Sequence, residues 1–151
     1  MYETEKTLVI NGNIGKVYAV AETYPMFVQF YKRKEIVFED QERSVVRVSN
    51  SFYGIVLCWE GEGIKDRHKC INFTQTKGLL KGLKAQFIFE PVENNKTKVT
   101  IKAKLAFHFF FGRVLEKILG NLLIPNTVAK ISLSLKNAVE NANSPATLKG
   151  I

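Results

Sequence analysis

Few side chains in this sequence are suited to act as acids or bases near neutral pH. There are two histidines: His68 stands in a basic turn, where we expect it to be exposed, and His108 lies in the aromatic run 107–111 with outward strand parity. Glu60 and Glu62 share one face of a predicted strand, but that face points outward, so we do not expect a catalytic pair. The sequence therefore predicts no catalytic residue.

Metal, cofactor and nucleophile motifs are also missing from the sequence. Cys58 and Cys70 show neither a Cys-x-x-Cys motif nor a spacing with histidine that suits a metal ion. There is no glycine-rich phosphate loop and no Gly-x-Ser-x-Gly motif. We therefore expect no metal and no cofactor. Free cysteines are typical of a reducing compartment, so we expect a cytoplasmic protein.

The length and composition fit one folded domain. The chain has 151 residues, of which 46% are hydrophobic. We place a single domain at residues 1–142 and expect a flexible tail at 143–151. The first residues do not resemble a signal peptide. The most apolar window, 105–124, carries charged side chains that argue against a transmembrane helix.

Turn residues divide the chain into one early strand, two short helices, six further strands and one long helix. The predicted strands are 7–10, 34–40, 44–52, 55–63, 69–76, 83–90 and 97–107, and the short helices are 14–22 and 24–31. Turns of hairpin length favour antiparallel pairing. Apolar residues at helical spacing over 111–142 predict a long C-terminal helix, which Pro125 should kink or divide. The predicted class is α+β, with a curved antiparallel sheet of six or seven strands around that helix and two short helices after strand 1.

The hairpin turns also predict which residues face inward. A two-residue turn at 53–54 pairs Phe52 with Ile55 and Val48 with Trp59, and a turn at 65–67 pairs Trp59 with Phe73. The inward set is then Val46, Val48, Asn50, Phe52, Ile55, Leu57, Trp59, Gly61, Ile71, Phe73 and Gln75. Arg47 and Cys58 fall on the outer face.

Three motifs, in order along the chain, resemble those of a known superfamily. Residues 17–27 resemble its V-Y…Y-P-x-F helix pair, residues 78–91 its G-x-x-x-x-L…W-x-F-x-P hairpin, and residues 111–115 the F-G-R-V-F that opens its last helix. By this resemblance, residues 5–142 are identified as a member of the START-like superfamily, also called helix-grip, Bet v 1-like or SRPBCC. The most similar branch is that of the polyketide cyclases/dehydrases, which includes coenzyme Q-binding proteins and a bacterial ribosome-association toxin. Phe87 stands where relatives often have tryptophan.

The resemblance implies a hydrophobic cavity between the sheet and the long helix. Gly61, Ala85 and Ala103 are small inward residues that would leave room for it, unless the helix simply packs closer there. Asn50 and Gln75 also face inward. Their side chains either bind a polar group of a ligand or, since both lie near strand ends, reach water. The predicted ligand-binding residues are Phe27, Phe30, Asn50, Trp59, Phe73, Gln75, Phe87, Phe89, Leu105, Phe107 and Leu119.

The positive charge is concentrated in one part of the chain. Residues 65–104 hold ten basic and three acidic residues, which is +7 of the net charge of +8. The predicted residues for docking on an anionic surface are Lys84, Lys98, Lys102, Lys104, Arg113 and Lys117. Arg113 and Lys117 follow the aromatic run, which is either core packing or an apolar lip at the cavity mouth. A solvated sheet face is the other interpretation of the strand lysines.

These features leave three hypotheses open. The first is a binder or carrier of a hydrophobic small molecule, either a lipid or an isoprenoid quinone, in peripheral contact with the inner face of an acidic membrane. The second is a ribosome- or RNA-associated protein, although the outer face lacks interleaved aromatics for base stacking and no DNA binding is expected. The third is a polyketide cyclase/dehydrase-like enzyme. The sequence favours a binder over an enzyme.

Overall fold

Seven antiparallel strands form one sheet in the structure, a computed structural model that describes residues 2–52, 54–78, 80–105 and 123–141. In chain order the strands are β1 (Tyr2–Asn11), β2 (Arg33–Glu39), β3 (Arg43–Phe52), β4 (Ile55–Asp66), β5 (Cys70–Lys77), β6 (Lys84–Val92) and β7 (Lys96–Leu105). Their order across the sheet is β1-β7-β6-β5-β4-β3-β2. The first strand therefore joins the last one, and all other neighbours are hairpins. The predicted α+β class is confirmed.

The alternation of side chains along β7 explains why one face of the sheet is covered. Val99, Ile101 and Leu105 are at most 3% exposed, whereas Lys102 and Lys104 between them point to the other face. Such a period of two buries one face of a strand and leaves the other in water. β1 is longer than predicted, because it follows β7 over ten residue pairs.

Two helices cover the apolar face. Helix α1 (Ile14–Ala21) begins after Asn13, whose side-chain oxygen accepts the backbone N–H of Lys16 at 2.9 Å. Helix α2 (Ile124–Asn141) packs against β1 and β7 through residues at helical spacing, namely Val128, Ile131, Leu135 and Val139. Pro125 lies in the first turn of the helix as described, a position that the fixed φ of proline suits. The part of the predicted helix before 123 and the predicted tail lie outside the described residues.

The second short helix, predicted at 24–31, is not a helix. Residues 22–27 and 29–30 form turns, in which Met26 N–H bonds to the Thr23 carbonyl at 2.8 Å and Val28 N–H to the Pro25 carbonyl at 3.0 Å. A segment of eight residues has little helical stability of its own. Its path is therefore set by how its side chains pack against the sheet. We refer to residues 22–31 as the turn segment.

The predicted pairing of β3 with β4 is correct, and that of β4 with β5 is wrong by four residues. Phe52 lies opposite Ile55 and Val48 opposite Trp59, as expected. Phe73 pairs with Gly63 rather than Trp59, because the hairpin turns about His68, whose φ of 62° suits the left-handed position of a three-residue loop. An even shift leaves each residue on its predicted face.

Among the inward residues whose burial is described, Ile55 is the exposed one. It is 63% exposed and lies at the tip of the β3–β4 hairpin, whereas the others are buried or half-buried. The exposed positions of Arg47 and Cys58 agree with the prediction. Among the described residues, no helix is long and apolar enough to cross a membrane.

Candidate ligand-binding cavity

A cavity of about 120 Å³ lies between the inner face of the sheet and the first turns of α2. The strands contribute mostly apolar and small side chains, and α2 contributes one face of its N-terminal half. The lining residues include Tyr24, Tyr31, Asn50, Leu57, Trp59, Gly61, Phe73, Gln75, Leu80, Leu83, Ala85, Phe87, Ile101, Ala103, Leu123, Ile124, Thr127, Val128 and Ile131. A cavity this size is close to the roughly 150 Å³ that holds one benzene molecule.

Five aromatic side chains form a cage on one side of this cavity, which we call the aromatic cage: Tyr24, Tyr31, Trp59, Phe73 and Phe87. The Tyr24 ring lies 4.9 Å from Phe73 in an edge-to-face arrangement and 6.4 Å from Trp59 in a nearly parallel one. Tyr31 meets Trp59 at 6.0 Å and 81°. Such offset and edge-on pairs add to the energy of simple burial, by about 0.5–1.5 kcal/mol each. The cage is therefore a rigid wall.

The hydroxyls of Tyr24 and Tyr31 are bonded to each other across this wall. The two oxygens are 2.5 Å apart, and each residue is only 6% exposed. Burial raises the pKa of Tyr24 well above its ordinary value, and the neighbouring Tyr31 raises it further. Burial also raises the pKa of Tyr31, although its bond to Tyr24 opposes the shift. Both phenols are therefore neutral over the physiological range.

Two amides and a hydroxyl add polar groups to the lining. Gln75 is 7% exposed, and its side-chain NH2 donates one hydrogen to the Lys77 carbonyl at 3.3 Å, which leaves its second N–H and its amide oxygen for other partners. Asn50 is half-buried, and so is Thr127 on α2. These groups suit the binding of one or two polar atoms on an otherwise apolar molecule.

The small inward residues do line the cavity. Ala85 and Ala103 are directly paired across β6 and β7. A Cβ on Gly61 would lie 3.3 Å from the Thr74 carbonyl oxygen and 3.4 Å from the Trp59 ring. The absence of larger side chains at these positions creates the space, and the helix does not close it.

The structure brings five of the predicted ligand-binding residues to the cavity: Asn50, Trp59, Phe73, Gln75 and Phe87. Phe27 and Phe30 instead pack on the core as half-buried side chains, because the turn segment does not have helical spacing. Phe89 and Leu105 are buried elsewhere in the core, at 4% and 3% exposure. Phe107 and Leu119 lie outside the described residues.

Sequence reasoning missed the two tyrosines and the α2 residues of the lining. Tyr24 and Tyr31 lie in the turn segment, where no periodicity assigns a side chain to a face. Their residue type was the available signal, since tyrosine combines a large apolar ring with a hydroxyl that needs a partner when buried. Val128 and Ile131 were recognised as part of the apolar face of a helix, but which residues of that face line the cavity depends on tertiary packing.

The candidate acids and bases lie away from the cavity. His68 is half-buried rather than exposed, because its ring packs edge-on against Tyr18 at 5.3 Å. Glu60 points outward and is paired with Arg47 at 3.0 Å and with Lys77 at 3.8 Å. His108 lies outside the described residues. In the ranges that the structure covers, no group of histidine, cysteine and carboxylate side chains suits a metal ion.

Lys65 is also not where its sequence context suggested. We expected it in an exposed turn, but its side chain is 2% exposed on the inner face of β4, at the end of the sheet away from the cavity. Its ammonium lies 3.8 Å from Glu22 and 3.5 Å from Glu39, and it donates to the Asp40 carbonyl at 2.9 Å. Lys65 thus joins the end of α1, the β2–β3 turn and β4.

The outer lysine face, formed by Lys84, Lys98, Lys102 and Lys104, is present but partly neutralised. Lys84 and Lys104 are directly opposed across β6 and β7. β1 brings Glu3 beside Lys104 and Glu5 beside Lys102, and Glu3 forms an ion pair with Lys104 at 3.5 Å. Counting charge along residues 65–104 missed these acids, because β1 joins β7 from the other end of the chain. Arg113 and Lys117 lie outside the described residues.

A family model matches residues 16–131, which is most of the chain; its description is polyketide cyclase / dehydrase and lipid transport. The chain belongs to this family. The START-like assignment made from the sequence motifs is thereby confirmed. A comparison of the sequence with curated proteins finds no match.

Solved structures show the same fold at low sequence identity. A protein of Thermus thermophilus superposes with a TM-score of 0.80 at 22% identity, covering 94% of this chain and 99% of that one. The Zhui aromatase/cyclase from a Streptomyces species gives a TM-score of 0.77 at 16% identity, covering 94% and 96%. Norcoclaurine synthase from Thalictrum flavum, in complex with dopamine and hydroxybenzaldehyde, gives 0.71 at 11% identity, covering 94% and 88%. Identities this low establish the fold alone.

Proposed function

We propose that this member of the family binds and carries a hydrophobic small molecule, a lipid or an isoprenoid quinone, in the cavity between the sheet and α2. The observation that carries the proposal is the aromatic cage, which faces small residues across an apolar space rather than a packed core. Apolar cavities with a few placed polar groups are the usual form of small-molecule sites. The lipid transport part of the family description is consistent with such a role.

The size of the cavity favours a ligand with a ring-shaped head. About 120 Å³ holds one substituted ring, whereas ligand pockets for whole drug-sized molecules measure roughly 300–1,000 Å³. A long isoprenoid or acyl tail must therefore lie outside this space or widen it. Between the two proposed ligand classes, a quinone ring fits the cavity better than a diacyl lipid.

Trp59 provides a direct binding test, because it is the one tryptophan of the chain and lines the cavity. Titration with a short-chain quinone should quench its fluorescence to saturation. Ala103→Leu adds a side chain inside the cavity and should weaken binding about tenfold or more. Ala129→Leu makes the same change on the exposed face of α2 and is the matched control. Native mass spectrometry and organic extraction of the purified protein should recover an apolar molecule. Absence of both saturable quenching and an extracted ligand would refute the proposal.

A cyclase/dehydrase-like reaction is the alternative within the same cavity. Its support is the family description and the shared fold of the Zhui aromatase/cyclase. The described part of the lining offers phenol, amide and hydroxyl groups but no carboxylate or imidazole to act as a base. The two proposals differ in the fate of the ligand. An enzyme releases a chemically changed molecule, so the masses of extracted ligand before and after incubation separate them.

Contact of the outer lysine face with an acidic membrane or the ribosome is the second candidate function. The observation in its favour is the directly opposed pair Lys84 and Lys104, since like charges facing each other are unfavourable until an anion lies between them. Glu3 and Glu5 reduce the positive charge of the same face. The outer lysine face therefore suits a weak, salt-dependent contact rather than tight RNA binding.

Sedimentation with ribosomes and with anionic vesicles tests this candidate. Replacing Lys98, Lys102 and Lys104 by glutamine should abolish co-sedimentation at moderate salt. The matched control replaces Arg33, Arg67 and Lys69, which are exposed cations on strands or turns outside β6 and β7. Equal loss in both triple variants would indicate attraction by net charge alone and would reject a specific outer face.

A further inference from the structure

The phenol groups of Tyr24 and Tyr31 are a buried polar pair in a mostly apolar wall. Both side chains come from the turn segment, and both line the cavity. Each residue is 6% exposed, and the hydroxyl oxygens lie within hydrogen-bond distance of each other. The turn segment therefore places two hydroxyl oxygens in a wall of the cavity to which the neighbouring strands contribute mainly aromatic rings and aliphatic side chains.

Counting protons shows that this pair has an unused donor. Two hydroxyls carry two protons, and the bond between them uses one. Within the described ranges of the chain, neither oxygen makes a further hydrogen bond to the protein. A buried donor left without an acceptor costs about 1–3 kcal/mol. A bound molecule that offers an acceptor atom at this point would remove that cost.

The surrounding rings restrict the shape of such a molecule. Trp59 lies nearly parallel to the Tyr24 ring at 24°, whereas Phe73 and Phe87 present edges at 62° and 81°. Flat walls and edges of this kind favour a planar ring by stacking and edge-on contact. The cavity volume of about 120 Å³ admits one such ring.

We propose that the Tyr24–Tyr31 hydroxyl pair is the recognition element of the cavity, and that it donates a hydrogen bond to a carbonyl-type oxygen on a planar, ring-shaped ligand. This inference rests on the proposed function, because it requires that the cavity takes up a small molecule. It selects ring ketones, quinones and aromatic carbonyl compounds over hydrocarbons and saturated lipid chains of the same size.

The other polar groups of the lining can donate as well as accept. The Gln75 NH2 gives one of its two hydrogens to the Lys77 carbonyl, which leaves its second N–H and its amide oxygen for other partners. Asn50 is half-buried. The tyrosine donor differs from these amides in its surroundings, because it lies among the rings of the aromatic cage, where a planar ligand can stack. Burial raises the pKa of both phenols, which keeps the donor proton in place at neutral and mildly alkaline pH.

A matched pair of ligands tests the proposal. Acetophenone and α-methylstyrene have the same ring and nearly the same shape, but only the first has a carbonyl oxygen. Their dissociation constants are measured by quenching of Trp59 in the natural protein and in a Tyr24→Phe/Tyr31→Phe variant, which keeps both rings. Loss of one neutral hydrogen bond should reduce the preference for acetophenone about tenfold, while α-methylstyrene binds as before. Tyr18→Phe, which removes a buried hydroxyl away from the cavity, should leave the preference unchanged.

A spectroscopic measurement needs no variant and covers the case in which the double variant does not fold. The carbonyl stretch of bound, isotope-labelled acetophenone should lie at lower frequency than in an alkane solvent. A stretch at the alkane position, or a preference for acetophenone that the double variant retains, overturns the proposed recognition by the tyrosines. If neither compound nor the short-chain quinone quenches Trp59 in the natural protein, and extraction recovers no ligand, the proposed function itself fails. The two failures are thus distinguishable.

Discussion

At the scale of single residues, Tyr18 is a buried side chain that the fold does not satisfy. It is 4% exposed, and its hydroxyl has no hydrogen-bond partner within the described ranges. Its ring packs against His68 and Phe89 at 5.3 and 5.4 Å. Packing against these two rings therefore holds the side chain in place, while the hydroxyl opposes its burial.

We expect Tyr18→Phe to stabilise the protein. The change keeps the ring contacts and removes an unpaired polar atom, whose burial costs about 1–3 kcal/mol. The free energy of unfolding in urea should rise by about 1 kcal/mol. Tyr31→Phe is the comparison, because it removes a bonded hydroxyl and should not stabilise. A loss of stability in Tyr18→Phe would mean that the hydroxyl is hydrogen-bonded in solution.

The buried tyrosines predict a loss of stability at alkaline pH. Burial, with smaller contributions from Glu22 and Asp66, raises the pKa of Tyr18 to about 12, and burial raises the pKa of Tyr24 and Tyr31 as well. In the unfolded chain phenols ionise near pH 10. Above that pH the unfolded state loses protons that the folded state keeps, so stability falls as pH rises.

Thermal unfolding between pH 8 and 12 measures this effect. The melting temperature should start to fall near pH 10, and Tyr18→Phe should reduce the slope between pH 10 and 12. Below pH 10 the three phenols are neutral in both states and contribute no slope. An identical slope in the natural protein and in Tyr18→Phe would assign the alkaline loss to other groups, such as the lysines.

The residues of the strands were easier to predict than those of the turn segment. Trp59 and Phe73 were assigned to the cavity side from strand parity alone, because a period of two gives each residue a face. Tyr24 and Tyr31 have no such rule, since their positions follow from the packing of a segment without regular structure. The phenol pair of the candidate site therefore could not be predicted from sequence periodicity, whereas the strand amides Asn50 and Gln75 could.

At the scale of elements, Lys65 connects three pieces of chain at the end of the sheet away from the cavity. Its ammonium is shared between Glu22 and Glu39, which are themselves 34% and 38% exposed. Water can therefore solvate the two carboxylates when the lysine is absent. The buried aliphatic stem of Lys65 and its hydrogen bond to the Asp40 carbonyl therefore contribute more to holding the three pieces together than its ion pairs do.

This arrangement predicts different results for two substitutions of Lys65. Lys65→Ala removes the stem and the charge and should lower the free energy of unfolding by about 2–4 kcal/mol. Lys65→Met keeps a stem of similar length and should lose less than half as much. Urea unfolding measures both, and exposed Lys81→Ala is the control. A loss in Lys65→Met equal to that in Lys65→Ala would show that the charge, not the stem, holds the elements together.

The turn between β5 and β6 contains two glycines that make a matched test of packing behind the aromatic cage. Gly78 and Gly82 both have positive φ, at 110° and 93°. A Cβ on Gly78 would lie 2.8 Å from the Cys58 carbonyl oxygen and 2.8 Å from the Trp59 Cβ, whereas a Cβ on Gly82 would have nothing within 4 Å.

We expect Gly78→Ala to cost more than Gly82→Ala. Each substitution puts a Cβ on a left-handed backbone, which lowers the free energy of unfolding by about 1–2 kcal/mol. Gly78→Ala also creates a steric conflict, which lowers it by about 1–3 kcal/mol more. Unfolding in urea gives the difference, and a shifted Trp59 emission maximum should accompany Gly78→Ala alone. Equal losses of unfolding free energy in the two variants, with no shift of the Trp59 emission maximum, would mean that the turn does not pack tightly against the aromatic cage.

At the scale of the whole molecule, the antiparallel hairpins and the fold class were predictable, and the contact between strands distant in sequence was not. Hairpin turns and alternation are local signals, and they gave the antiparallel sheet and the pairing of β3 with β4. The β4–β5 register depended on which of several polar residues forms the turn, and His68 forms it two residues later than expected. The pairing of β1 with β7 joins the two ends of the strand region, and it placed Glu3 and Glu5 on a face that sequence arithmetic treated as basic.

Ligand binding should stabilise the entire domain, because the cavity lies between the sheet and α2. A ligand at one hundred times its dissociation constant adds about 2.7 kcal/mol to the free energy of unfolding. For a chain of this length that raises the melting temperature by roughly 5–10 °C. Differential scanning calorimetry with and without the short-chain quinone measures the shift. Because Ala103→Leu should weaken binding about tenfold or more, that variant should show at most about half of this shift at the same ligand concentration. A shift of equal size in the variant would place the ligand elsewhere.

The turn segment has a consequence for how this protein can diverge. It supplies the two phenol hydroxyls of the cavity, yet its residues belong to no strand or regular helix. Conservative substitutions there, such as phenylalanine for tyrosine, alter the chemistry offered to a ligand without breaking a ladder hydrogen bond of the sheet. A lineage can therefore change the polar groups that meet a ligand through two codons of this segment, while the strands that shape the cavity are inherited unchanged.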